Sequence, residues 1–163
     1  MKDTYKYKVV IIGLGKIGFK YDLNLPDDFV QSHAKAFIKN PDFDLIAGID
    51  ISEENCNIFF KKYKIKTYQN VEEGLNKTKP DVIVISSATY THLEISKKIC
   101  NSTFLPKIVL CEKPFAYSLE ESKEIIDIFS YKKIPLFVNY MRRSDPGVIE
   151  IKKSIDQGDF KTP

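Results

Sequence analysis

The chain has 163 residues, 43% of them hydrophobic, with 25 basic and 22 acidic side chains and a net charge of +3. That length suits one domain with a sizeable core, and charge spread this evenly excludes the clustered basic footprint of a nucleic-acid binder. Three cysteines without C-x-x-C spacing and two histidines form neither a disulfide framework nor a zinc site, so no metal is expected and the compartment reads as reducing and cytoplasmic. No stretch approaches ~18 apolar residues, and Met1–Lys6 lacks the apolar core of a leader, so no membrane contact is expected.

In chain order, Val9-Val10-Ile11-Ile12 is a β-branched run too short for a stable helix, and it reads as a strand buried on both faces. It breaks into Gly13-Leu14-Gly15-Lys16-Ile17-Gly18, the spacing G-x-G-x-x-G. Gly13 would turn the chain, Gly15 would admit a pyrophosphate to the backbone, and Gly18 would let the next helix pack closely on the sheet. Free N–H groups and a positive dipole end at that helix start suit a phosphate. The alternative is a tight strand-to-helix turn without a ligand.

The helix is expected to be cut short, because residues 21–31, with Pro26 among aspartates and an asparagine, carry loop chemistry. A second helical stretch runs from about Ser32 to Lys39, with Ala34, Phe37 and Ile38 on one side and His33 near its start. By spacing alone His33 is an exposed or core histidine. Phe43–Asp50 reads as the second strand. An acid at the end of that strand accepts hydrogen bonds from the adenosine ribose hydroxyls in a dinucleotide-binding unit. Asp50 lies further from the glycines than the usual ~20 residues, and the 21–31 loop accounts for the excess. Its carboxylate would repel a 2′-phosphate and Ile51 brings no positive charge, so NAD is favoured over NADP. Asp50 could also serve as a helix N-cap, although Ser52 is available for that.

The helix from about Glu53 to Tyr63 places Cys56, Phe59, Phe60 and Tyr63 on one stripe, which makes Cys56 a core residue. The cations at its end, Lys61, Lys62, Lys64 and Lys66, complement the helix dipole. A short element at Thr67–Tyr68, a helix over Val71–Asn76 and a buried strand at Val82–Ile85 follow. Strands alternating with helices predict an α/β fold: a Rossmann-like doubly wound parallel sheet in three αβα layers.

Ser86, Ser87 and Ala88 end the fourth strand, where ligands of open α/β sheets bind, and Thr89 or Thr91 could cap the helix that His92 opens. A plain strand-to-helix turn explains them equally well. Ile108–Cys111 is the fifth strand and ends in Glu112-Lys113-Pro114-Phe115, where a lysine cannot hide its ammonium without a partner. Ser118 starts a helix with Glu121 completing a capping box and Leu119, Ile125, Ile126 and Phe129 as its buried stripe. Pro135–Val138 makes a sixth strand. Pro146 and Gly158 bracket a last helix with Val148, Ile149, Ile151 and Ile155 on one side.

Taken together, Gly13–Gly18, Ala47-Gly48-Ile49-Asp50, His92 opening a helix, Cys111-Glu112-Lys113-Pro114-Phe115 and Asn139–Pro146 resemble the amino-terminal half of the Gfo/Idh/MocA oxidoreductases. The resemblance implies cofactor contacts from Gly13, Leu14, Gly15, Lys16, Ile17, Gly18, Asp50, Ser86, Ser87, Ala88, His92, Glu112, Lys113 and Pro114, with a cis bond between the last two. Lys113 would be catalytic, reaching the nicotinamide and the reacting hydroxyl of a sugar-like substrate. His33 and Arg143 are further substrate-side candidates. One departure is Ser87-Ala88, where the family often has Thr-Pro.

The resemblance also divides the chain into an NAD(P)-binding domain, 1–139, and a linker and helix, 140–163, that lead in relatives to a substrate and oligomerisation domain. The parent would be a homo-oligomeric dehydrogenase of a sugar, polyol or nucleotide sugar. The 163 residues alone are expected to be inactive, as a monomer or a non-native dimer. A non-catalytic dinucleotide-sensing module is the alternative. A methyltransferase using S-adenosylmethionine is a third reading, which the Glu112-Lys113-Pro114-Phe115 element disfavours.

Overall fold

A computed structural model describes residues 5–159. The first four residues of the stretch read for a leader, and the last four of the 140–163 segment, lie outside the described residues. Six strands, β1 (Tyr7–Ile12), β2 (Phe43–Ile49), β3 (Lys66–Tyr68), β4 (Val82–Ile85), β5 (Ile108–Cys111) and β6 (Leu136–Val138), form one parallel sheet of order β3-β2-β1-β4-β5-β6. The order reverses between β1 and β4, and there the carboxyl edge opens into a crevice.

Alternation along β1 divides the core. Val10 and Ile12 point into one layer with Ile83, Ile85, Val109 and Cys111, under α3 (Val71–Thr78), α4 (His92–Cys100) and α5 (Leu119–Tyr131). Val9 and Ile11 point into the other with Leu14, Phe19, Leu45 and Phe59, under α1 (His33–Lys39) and α2 (Glu53–Tyr63). The three αβα layers are thus present. Cys56, Cys100 and Cys111 are buried free thiols, and burial pushes Cys100 up to about 11 and Cys111 up to about 12.

Three helical stripes are narrower than their sequence suggests. In α5 the buried pair is Ile125 and Phe129, while Leu119 is 63% and Ile126 50% exposed. At about 100° per residue, those two sit roughly a quarter turn off the buried line. Phe60 in α2 is exposed in the same way, and Ile38 is exposed at the end of α1, where burial is confined to the first turn. The Ser118 cap forms, accepting from Glu121 N–H at 3.1 Å, but Glu121 reaches back to Tyr117 N–H at 3.0 Å, one residue before the cap.

The interruption after Gly18 has a specific form. The N–H groups of His33 and Ala34 donate to the carbonyls of Ile17 and Gly18 at 3.0 and 2.9 Å. The expected short helix is replaced by turns and a 3-10 turn at Lys20–Asp22. Yet in an unbroken helix residues 21 and 22 would make those two bonds, so residues 21–32 are spliced in as an insertion across which α1 keeps helical register with the glycine loop. Excising them places Asp50 ~20 residues after Gly18, the usual distance. Buried Asp22 closes the splice by accepting from Gln31 N–H, Ser32 N–H and Ser32 Oγ at 2.8, 2.8 and 2.7 Å. Lys35 Nζ braces it by donating to the Pro26 carbonyl at 2.8 Å.

α6 (Pro146–Asp156) and the short turn Met141–Ser144 before it stand apart from the sheet. Tyr140, Met141, Val148, Ile149, Ile151 and Ile155 are all exposed, as is Phe137 on β6. Among the described residues no helix is long and apolar enough to cross a membrane.

Candidate dinucleotide site

Each glycine of the first loop meets a different neighbour. Gly13 has a φ of 100°, and a Cβ on it would run into the Ser87 backbone. At Gly18 a Cβ would run into the Gly13 carbonyl. Around Gly15 there is open space, with nothing within 4 Å of where a Cβ would stand. The N–H groups of Gly15, Lys16, Ile17 and Gly18 have no acceptor among the described residues. Four free donors beside open space fit a diphosphate, and any side chain at position 15 would fill that space.

Asp50 closes the neighbouring wall. Its Oδ2 accepts from Leu14 N–H at 2.6 Å and Asn55 Nδ2 at 3.1 Å, and its Oδ1 accepts from Ser52 N–H at 2.8 Å. Ser52, not Asp50, caps α2, taking Asn55 N–H at 3.2 Å. A carboxylate offers about four acceptor positions, so one remains and a single ribose hydroxyl can bind without displacing an internal donor. A cleft of about 340 Å³ lies here, lined by Gly13, Gly15, Asp50, Ile51, Ser87 and Tyr90 among others.

Of the residues expected to touch the cofactor, Leu14, Ser86 and His92 are buried, whereas half-buried Ser87 and exposed Ala88 line the cleft. Leu14 is buried in the core, so only its backbone belongs to the loop. Ser86 spends its hydroxyl on the Gly13 carbonyl at 2.8 Å. Ser87 Oγ pairs with Thr91 Oγ1 at 2.7 Å, and Ala88 supplies its carbonyl to the same Thr91 hydroxyl at 2.7 Å. Neither Thr89 nor Thr91 makes a side-chain cap. His92 is buried, its Nε2 3.1 Å from the Ser87 carbonyl and its Nδ1 3.1 Å from that of Phe115. It ties the end of β4 to the turn after β5. Lys16 is exposed and Ile17 half-buried.

At the end of β5 the Lys113–Pro114 bond is cis and Lys113 is exposed, which answers how its ammonium avoids the core. Glu112 is buried. Its Oε1 accepts from His33 Nε2 at 2.8 Å and from Asn139 Nδ2 at 2.6 Å, and its Oε2 accepts from Lys113 N–H at 3.2 Å. Burial alone would raise the Glu112 carboxyl, but the donors of His33, Asn139 and Lys113 outweigh it and hold the group below its ordinary value. Sequence reading missed the pairing of His33 with Glu112, 79 residues away. Arg143, in the exposed turn, forms no ion pair among the described residues, whereas Arg142 meets Asp145 at 3.3 Å. No cluster of three metal-ligating side chains occurs among the described residues.

A parallel sheet of this order, with a glycine loop after β1 and an acid after β2, defines a dinucleotide-binding Rossmann domain. The profile of the Gfo/Idh/MocA oxidoreductases, described as an oxidoreductase family with an NAD-binding Rossmann fold, matches residues 7–140, and the chain belongs to that family. Inositol 2-dehydrogenase of Rhizobium meliloti is 27% identical over 150 residues, which cover 91% of this chain and 40% of that protein. Two solved structures share the fold. The WlbA dehydrogenase of Bordetella pertussis, in complex with NADH and UDP-GlcNAcA, has a TM-score of 0.80 at 19% identity, covering 97% of this chain and 41% of that one. The scyllo-inositol dehydrogenase of Lactobacillus casei, with bound NAD(H) and scyllo-inositol, has a TM-score of 0.75 at 19% identity, covering 94% and 42%. The chain thus spans about two fifths of the length of the relatives it matches.

Proposed function

We propose that this chain is the cofactor-binding half of an NAD-dependent dehydrogenase acting on a secondary alcohol of a sugar, polyol or nucleotide sugar. The observation that carries the reading is one carboxyl edge holding four free N–H groups at Gly15–Gly18, the Asp50 carboxylate and an exposed Lys113. Bound there, the nicotinamide supplies the hydride chemistry. The glycine loop holds the diphosphate, Asp50 takes a ribose hydroxyl, and Lys113 orients the substrate hydroxyl and stabilises negative charge developing on its oxygen. Inositol- and UDP-sugar-handling relatives support the substrate class.

NAD is favoured over NADP. A 2′-phosphate would meet the Asp50 carboxylate, and Ile51 beside it is 86% exposed and uncharged. Lys98, the cation among the cleft-lining residues, is paired with Glu72 at 3.3 Å. Residues 140–163 serve as linker and first helix toward a second, substrate-holding domain, a division supported by the bare apolar side chains at 140–155. Melting of the same sample with NAD, NADP or S-adenosylmethionine tests the reading, since a ligand raises stability in proportion to its affinity. NAD should give the largest shift. A larger shift with S-adenosylmethionine would overturn it.

A further inference from the structure

The buried Glu112 is an expensive residue to keep at a strand end unless its charge is used, because an apolar side chain would fill the same space without needing three donors. Those donors come from three elements: His33 at the start of α1, Asn139 just past β6, and Lys113 in the turn itself. An ionised carboxylate only accepts, so His33 must donate from Nε2. The bond that Glu112 Oε2 takes from Lys113 N–H couples the carboxylate's orientation to the first peptide of the turn. His33 reaches this place because the 21–32 splice returns the chain to helical register with His33 as the first residue after it, bonded to Ile17.

We propose that His33 is a positioning residue: by holding the Glu112 carboxylate it fixes the turn that presents Lys113, and so organises the nicotinamide end of the cleft. The proposal rests on the NAD reading above, in which the dinucleotide runs from Asp50 toward the end of β5. His33 acts through Glu112 and touches neither ring nor substrate. The phosphate loop and the Asp50 wall are built without its side chain; only its backbone N–H meets the loop, at Ile17.

ADP-ribose, which is NAD without its nicotinamide ring, separates the two ends of the site. Calorimetry on the 163-residue chain should show NAD binding more tightly than ADP-ribose. His33→Ala should erase that advantage, lowering NAD affinity about tenfold to the ADP-ribose level, while ADP-ribose affinity stays within about twofold. His33→Gln, whose amide can donate to Glu112 Oε1, should restore most of the advantage. His33→Asn, polar but too short to reach, should behave like His33→Ala and replaces it should the alanine variant not fold. The proposal is overturned if the variants keep the full preference for NAD, if NAD and ADP-ribose weaken by the same factor, or if wild type does not distinguish them. Wild type binding neither ligand would instead sink the NAD reading on which the proposal stands.

Discussion

The two ends of the carboxyl edge are built differently. At the β1–β2 end the framework is held from within the chain and only the ligand-facing groups are free: Asp50 is tied to Leu14, Ser52 and Asn55, the glycine loop is wedged against Ser87 and packed on Phe19 and Phe59, and the N–H groups of Gly15–Gly18 stand open. At the β5–β6 end Lys113 stands exposed, and Phe137, Tyr140, Met141 and the apolar side of α6 lie bare. Apolar surface of that extent is seldom left uncovered. The contrast teaches that, on the reading proposed above, the framework of the phosphate and adenosine end is held from within these residues, whereas the end that presents Lys113 leaves apolar surface uncovered.

The largest effect expected from this contrast is on turnover. Orientation of substrate and cofactor is worth ~7–11 kcal/mol of barrier, and with Lys113 unopposed the chain should give no measurable NAD reduction with a panel of inositols, hexoses and nucleotide sugars. Robust reduction would erase the distinction between the two ends. Next comes the wedge at Gly13: in Gly13→Ala the positive φ and the overlap with Ser87 should together cost ~3 kcal/mol or more in a urea titration. Asp50→Ala should weaken NAD by ~1–3 kcal/mol in calorimetry, the value of hydrogen bonds to a charged acceptor. Unchanged affinity would remove Asp50 from the site.

A smaller effect concerns acid. The Glu112 carboxyl is held below its unfolded value, so its contribution to stability is present above about pH 4.3, the ordinary glutamate value, and is lost as pH falls through the native one. Glu112→Gln should therefore flatten the acid limb of a stability–pH profile measured by melting. An identical limb in the two proteins would show that the carboxylate is not stabilised in the fold. The smallest effect belongs to the bare end. Met141, 63% exposed, and Ile155, 58% exposed, should each accept lysine with less than ~0.5 kcal/mol change in stability. A large loss would mean that the face is already covered.

What the sequence makes legible follows the same division. Short β-branched runs and the glycine spacing located β1, β4, β5 and the crevice, because strand burial and turn geometry are written in neighbouring residues. The edges of helical stripes were not legible: Phe60, Leu119 and Ile126 are apolar, but whether a residue a quarter turn off the core line is covered depends on what packs beside it. The His33–Glu112 pair was equally hidden, since neither local pattern names a partner 79 residues away. A signal did exist. The surplus distance from the glycines to Asp50 equals the length of the 21–32 segment, and removing that segment joins Lys20 directly to His33.

That splice has one more consequence. Asp22 clamps the base of the segment, Leu23 packs on the core and Lys35 holds the Pro26 carbonyl, so the exposed tip beyond these anchors carries none of the sheet's packing and its length is free to vary. Residues 28–30 form a port in the scaffold. A peptide tag, a fluorophore site or an extra recognition loop grafted there would ride beside the cofactor cleft while the register of His33 stayed unchanged.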